Sequence, residues 1–170
     1  MAKSSSVSYL RNFIFGVEDS LVSTVGLLSG IAVANVPKET IFLTGVILVF
    51  VEAFSMAAGS FLSESSADSY LKHTDNSSYH NLLSGTIMFF SYFVSGFIPL
   101  SSYLLWPVAI ALKISILSSL IALFILGLIG ARISGIPLLK NAWRMAIIGG
   151  IAIGVGSLGG WILSALASYK

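Results

Sequence analysis

Met145-Ala146-Ile147-Ile148-Gly149-Gly150-Ile151-Ala152-Ile153-Gly154-Val155-Gly156-Ser157-Leu158-Gly159-Gly160-Trp161-Ile162-Leu163-Ser164-Ala165-Leu166 runs for 22 residues without a charge. At 1.5 Å per residue a helix of this length reaches about 33 Å, enough to cross a hydrocarbon core of about 30 Å. No strict alternation of apolar and polar residues marks a strand. In lipid the backbone must satisfy its own hydrogen bonds, which a helix does within one segment. The stretch therefore predicts a membrane-spanning helix.

Four further apolar stretches precede it, at about residues 13–33, 41–62, 82–105 and 108–131. Their charged interruptions are few: Glu18 and Asp19 in the first, Glu52 in the second, Lys113 in the fourth. Apolar residues make up 56% of the 170 and charged residues 9%, with a mean hydropathy of +0.94. A soluble domain carries about 25% charged residues, so this chain cannot clothe an aqueous surface of its size. The prediction is an all-α integral membrane protein with five transmembrane helices in a single domain, residues 1–170. Breakers fall between the spans at Asn35-Val36-Pro37, Trp106-Pro107 and Gly135-Ile136-Pro137, and Pro99 inside the third span is a potential kink. The N-terminus lacks the pattern of a cleaved signal peptide.

The net charge of +2 is scattered, which argues against a nucleic-acid partner, and the absence of cysteine excludes disulfides and thiolate metal ligation. Lys3, Arg11, Lys72, Arg132, Lys140 and Arg144 fall on one side of a five-span topology, against Lys38, Lys113 and Lys170 on the other. The positive-inside rule then places the N-terminus in the cytoplasm.

The intramembrane charges are the first candidates for function, because a carboxylate in lipid is costly. Asp19 lies roughly 12 Å past Arg11 by helical rise. It heads a stripe with Ser23, Gly26 and Gly30 at helical spacing; its neighbour is Glu18. The alternative is an interfacial N-cap. Glu52, Met56 and Ser60 share a face of the second span with Ser63, and Glu64 stands at its margin. Met56 comes at a depth near that of Asp19, so a carboxylate and a thioether are available to a divalent ion. Against this stand two structural readings: Met56 as ordinary packing, and Glu52 as the ion-pair partner of Lys113. Asp68, His73, Asp75 and His80 follow no standard metal spacing and read as a solvated loop. The Asn76-Ser77-Ser78 sequon is idle if that loop is cytoplasmic. Gly26 and Gly30, with the glycines at 150–160, let helices approach closely, within one bundle or between two copies. No Walker loop, HExxH or Ser/His/Asp grouping points to an enzyme, and no cofactor is implied.

Phe15-Gly16-Val17-Glu18-Asp19-Ser20-Leu21-Val22-Ser23-Thr24-Val25-Gly26-Leu27-Leu28-Ser29-Gly30 resembles the first-helix signature of the vacuolar iron transporter family. Ser55-Met56-Ala57-Ala58-Gly59 with Leu62-Ser63 resembles the second-helix signature, and Phe89-Phe90-Ser91-Tyr92-Phe93 through Ile98-Pro99-Leu100 the third. The fourth and fifth spans match more loosely, through Leu126-Gly127 and Ile148-Gly149-Gly150. The resemblance implies a homodimer of five-helix protomers that exports Fe²⁺ or Mn²⁺ from the cytosol in exchange for protons, with the ion path between protomers. Asp19 and Met56 would then be metal ligands, with Glu52 and Glu18 as further acidic candidates and Ser23, Ser60 and Glu64 lining the path. Glu52 would add a ligand or accept the counter-proton. The sequence departs from the family at Ser60 and Phe61, where an acidic and an aromatic residue are usual, and at Glu52, where a small residue is. The segment between the second and third spans, residues 63–80, is too short for the metal-binding extension that many members carry. Two other readings stay open: a non-transporting membrane scaffold or partner subunit, and a transporter of another small solute. A prokaryotic cell membrane is the favoured location, and a vacuolar or other endomembrane the location if the protein is eukaryotic.

Overall fold

The fold is that of a computed structural model, which describes residues 2–72 and 79–167. Five helices follow one another: α1 (Ala2–Val33), α2 (Lys38–Lys72), α3 (Tyr79–Leu105), α4 (Val108–Ser134) and α5 (Leu138–Ala167). All five are long and apolar enough to cross a membrane, and no strand occurs among the described residues.

The breakers act where the sequence puts them. Asn35 takes a left-handed φ of 59°, a conformation asparagine tolerates better than most residues, and turns the chain from α1 into α2. Pro37 and Pro107 precede their helices and offer carbonyls to the first turns: Ile41 N–H donates to Pro37 O at 3.0 Å and Ala111 N–H to Pro107 O at 2.8 Å. Gly135 closes α4 at φ 68°, where a side chain would be strained. Pro99 stays within one continuous α3.

Three helices clearly outrun the spans expected from hydropathy, α5 by beginning at Leu138 instead of about Met145. α1 begins at Ala2 instead of about Phe13, and α2 continues to Lys72 instead of ending near Leu62. Neither glycine nor proline interrupts residues 60–72, so the helix propagates beyond the apolar stretch. The loop expected from Ser63 to His80 is corrected accordingly. Asp68 lies on α2 and His80 on α3, while His73, Asp75 and the Asn76 sequon lie outside the described residues.

α1 is the central post and packs against all four other helices. α3 joins it on one side and packs most extensively with α2, which also touches α1; α4 and α5 close the other side. The end of the bundle near Arg11 and the end near Asn35 differ in chemistry. At the Asn35 end, Leu28, Ala32, Ile41, Leu100, Tyr103 and Ala111 form a buried apolar cluster from four helices. At the Arg11 end, polar bonds join the helices. Arg11 Nη2 meets Glu64 Oε1 at 2.8 Å, Ser8 donates to the same oxygen, and His80 Nδ1 shares a 2.7 Å hydrogen bond with the Tyr9 hydroxyl. The outward faces are apolar, as on α2 at Leu43, Ile47, Phe50 and Phe54, which suits lipid as solvent.

Glycine sets how closely the posts approach. On the α1–α5 seam, a Cβ on Gly160 would overlap the backbone of Gly30, and one on Gly156 the backbone of Gly26. The small-residue stripe of the first span is therefore spent inside the protomer, on α5. Between α2 and α3, a Cβ on Gly85 would stand 2.9 Å from the Ala57 carbonyl oxygen. Phe50 of α2 meets Phe93 of α3 edge-on at 5.0 Å between ring centroids.

Candidate functional site

The contacts along α3 set the depth of every candidate side chain. On α1, Gly16 lies against Met88 and Ser91, Ser20 Oγ donates to Tyr92 O at 2.6 Å, and Ser23 Oγ shares a 2.7 Å hydrogen bond with the Tyr92 hydroxyl. On α2, which runs the opposite way, Val49 lies against Gly96 and Ala57 against Gly85. Glu52 thus falls level with Tyr92, and so with the Asp19–Ser23 turn of α1. Met56 falls about one turn nearer the Arg11 end, level with Gly16 and Met88. The depth match expected between Asp19 and Met56 is thereby refined, since the residue of α2 level with Asp19 is Glu52.

Asp19 and Glu52 are both half-buried, and each lies within electrostatic reach of the other and of Tyr92. Two carboxylates with a phenol and a serine hydroxyl beside them make a polar layer deep in an apolar bundle. Such a layer is expensive for lipid-immersed protein unless a cation or protons share it. Ser20 and Ser23 hold Tyr92 from both its carbonyl and its hydroxyl, which fixes the phenol beside the acids. Glu18 faces elsewhere: besides Asp19, the charge acting on it is Arg144 at the start of α5.

Toward the Arg11 end, α1 and α2 separate around a cleft of about 620 Å³. Arg11, Asn12 and Phe15 line it from α1, Ser55, Met56, Gly59, Ser60 and Ser63 from α2, and Met88 from α3. Phe15, Ser55 and Gly59 are themselves exposed, so the cleft is open along the flank of the protomer. Buried Asn12 Nδ2 and Ser60 Oγ find no hydrogen-bond partner, leaving polar capacity for water or a ligand. The Arg11–Glu64 pair stands at the mouth, with Glu64 taken up by Arg11 and Ser8.

Of the residues singled out in the sequence, the fold brings Asp19, Glu52 and Ser23 into one layer and puts Met56 and Ser60 on the cleft leading to it. Glu64 joins the mouth, and Glu18 turns toward α5. The structural alternative for Glu52 does not form: α3 stands between α2 and α4, and Lys113 is exposed without an ion pair to Glu52. Among the described residues no group of three or more histidine, aspartate or glutamate side chains that could hold a metal comes together in one protomer. Tyr92 and Met88 were missed as site residues. Both lie in or beside the aromatic run of the third span, where nothing in the spacing separates a lining residue from a packing one.

A family model described as the VIT family matches residues 10–82 and 71–161. Comparison with curated proteins finds none that matches. The matched residues take in α1 from Leu10 onward, the carboxylate layer, the cleft and most of α5, and on that span the chain belongs to the VIT family, the vacuolar iron transporters.

Proposed function

We propose that this chain is a secondary transporter that moves Fe²⁺, Mn²⁺ or both out of the cytosol in exchange for protons, as a homodimer with its N-terminus cytoplasmic. The observation that carries the reading is the Asp19–Glu52–Tyr92 layer just beyond a cleft that opens toward the Arg11 end and carries hydroxyl, amide and thioether groups. Carboxylate oxygens suit divalent Fe and Mn, and the Met56 thioether adds preference for the softer of the two. A carboxylate in this setting also binds a proton when the ion leaves, which couples the two cargoes at one group. Asp19 and Met56 act as ligands, Glu52 as ligand or proton acceptor, and Ser23, Ser60 and Glu64 line the way in.

The open flank supports the homodimer. One protomer brings two acids to the layer, and the walls of its cleft include exposed Phe15, Ser55 and Gly59. A second copy related by a two-fold axis would cover that flank and double the donor set. Ser55 and Gly59, four residues apart, present a small-residue face suited to close helix approach.

Uptake of Fe²⁺ and Mn²⁺ into proteoliposomes, with and without a pH gradient, tests the reading beside the Asp19→Asn variant. Gradient-driven uptake that falls to background in Asp19→Asn is the expected result. No uptake of either ion by folded, oriented protein would return the chain to the scaffold reading.

A further inference from the structure

Met88 brings a second sulfur to the cleft, one that the first two helix motifs do not contain. It is 3% exposed, yet it borders the same space as Met56. Its position is built rather than incidental to α3. A Cβ at Gly16 would stand 3.1 Å from Met88 Sδ and would collide with Ser91 Oγ, so the bare backbone of α1 is what lets the thioether rest there. The α2–α3 contacts at Val49–Gly96 and Ala57–Gly85 bring Met56 level with it from the other wall.

The layer these two residues make differs from its neighbours on either side. Toward the Arg11 end stands the Arg11–Glu64 pair; toward the Asn35 end stand Asp19 and Glu52. Between them the cleft offers the two thioethers and the hydroxyls of Ser55 and Ser60, with no charge. Ser60 Oγ is buried without a partner, so the layer has an oxygen donor to spare. A neutral, polarisable thioether gives a hard ion little in exchange for its water, and gives a softer ion more. It also takes up no proton in the physiological range, so its preference among metals does not follow pH.

We propose that Met56 and Met88 together form a neutral thioether filter that favours thiophilic divalent ions (Fe²⁺, and Cd²⁺ as a probe) over harder ones such as Mn²⁺ before they reach the carboxylates. Met88 is the specificity-determining residue on α3. The inference rests on the transport reading above. A methionine that only fills space would be replaced by leucine without consequence for ion choice.

The test is competitive uptake of Fe²⁺ and Mn²⁺ by the full-length protein in proteoliposomes at two pH values, with Cd²⁺ as inhibitor, for wild type, Met88→Leu and Met88→Gln. Met88→Leu keeps the volume and removes the sulfur; it is expected to lower the Fe²⁺:Mn²⁺ uptake ratio roughly threefold or more at both pH values and to weaken Cd²⁺ inhibition. Met88→Gln, which offers an amide oxygen, is expected to move the ratio further toward Mn²⁺, and it serves as the second variant should leucine fail to fold. An unchanged ratio and Cd²⁺ sensitivity in these variants overturns the filter while leaving the transport reading intact, and so does an equal loss of both ions. Wild-type protein that moves neither ion overturns both.

Discussion

α1 shows two faces to its neighbours, and they are built in opposite ways. Toward α5 its backbone touches backbone: Gly26 and Gly30 lie against Gly156 and Gly160, and a methyl group on Gly30, Gly156 or Gly160 would overlap the facing backbone. Toward α2, nearer the Arg11 end, it stands off across a cleft of about 620 Å³ edged with hydroxyls, two thioethers and an ion pair. In lipid there is no hydrophobic drive to press helices together, so association depends on close van der Waals fit and on polar bonds. The seam uses the first almost alone. The cleft gives up fit and retains polar groups with unused hydrogen-bonding capacity, among them Asn12 Nδ2 and Ser60 Oγ. One face of the same helix holds the fold, and the other borders the cleft that the proposed function assigns to an ion and a second copy.

The strongest way to break this contrast is to put a side chain into the seam. Gly160→Val would force α5 off α1, and because backbone rather than a flexible side chain stands in the way, the strain cannot relax locally. The expected cost is at least about 3 kcal/mol, seen as loss of a cooperative thermal transition in detergent. A melt like that of wild type would show that the seam is not what holds α5.

Removal of one polar bond near the carboxylate layer should cost less. Tyr92→Phe deletes the hydroxyl that bonds Ser23 at 2.7 Å. It is expected to lower stability by about 1 kcal/mol, read as a modest fall in the same transition. At the mouth the effect should be smaller again. Arg11 is 67% exposed, and Glu64, 17% exposed, keeps its bond from Ser8 when Arg11 is removed, so Arg11→Ala is expected to change stability by about 0.5 kcal/mol or less at moderate salt. If that variant loses more than Tyr92→Phe, the mouth is a structural clamp and not an entrance.

The smallest effect is expected across the cleft. A Cβ on Gly59 would meet nothing within 4 Å, so Gly59→Ala should leave protomer stability within about 0.5 kcal/mol of wild type. The same residue lies on the face proposed for the second copy. Cross-linking yield or light scattering in detergent should therefore respond to Gly59→Leu even where the melt of the monomer does not. Equal sensitivity at Gly59 and Gly160 would erase the distinction between the two faces.

Much of this was legible in the chain itself. Five apolar stretches fixed five helices, because lipid leaves the backbone no other way to satisfy its bonds, and Pro37, Pro107 and Gly135 marked their ends by local geometry alone. Hydropathy could not see the helical residues beyond the bilayer. Residues 63–72 are polar, yet nothing in them stops a helix, so a loop was expected where α2 simply continues. Asp19 was also marked, since an acid in an apolar run stands out wherever it occurs, and Met56 by its helical spacing from Glu52.

What the sequence determined, then, is whatever depends on neighbours along the chain: the helices, their breaks, the buried charges and the small-residue stripes. Which stripe meets which helix was decided by tertiary structure. Gly30 and Gly160 are 130 residues apart, and nothing local to either selects the other. The same holds for Glu52, which could have faced Lys113 or Asp19. The choice fell to α3, which separates α2 from α4 and sets Glu52 beside Asp19, because packing between helices is a matter of shape summed over whole faces rather than of any residue's own preference.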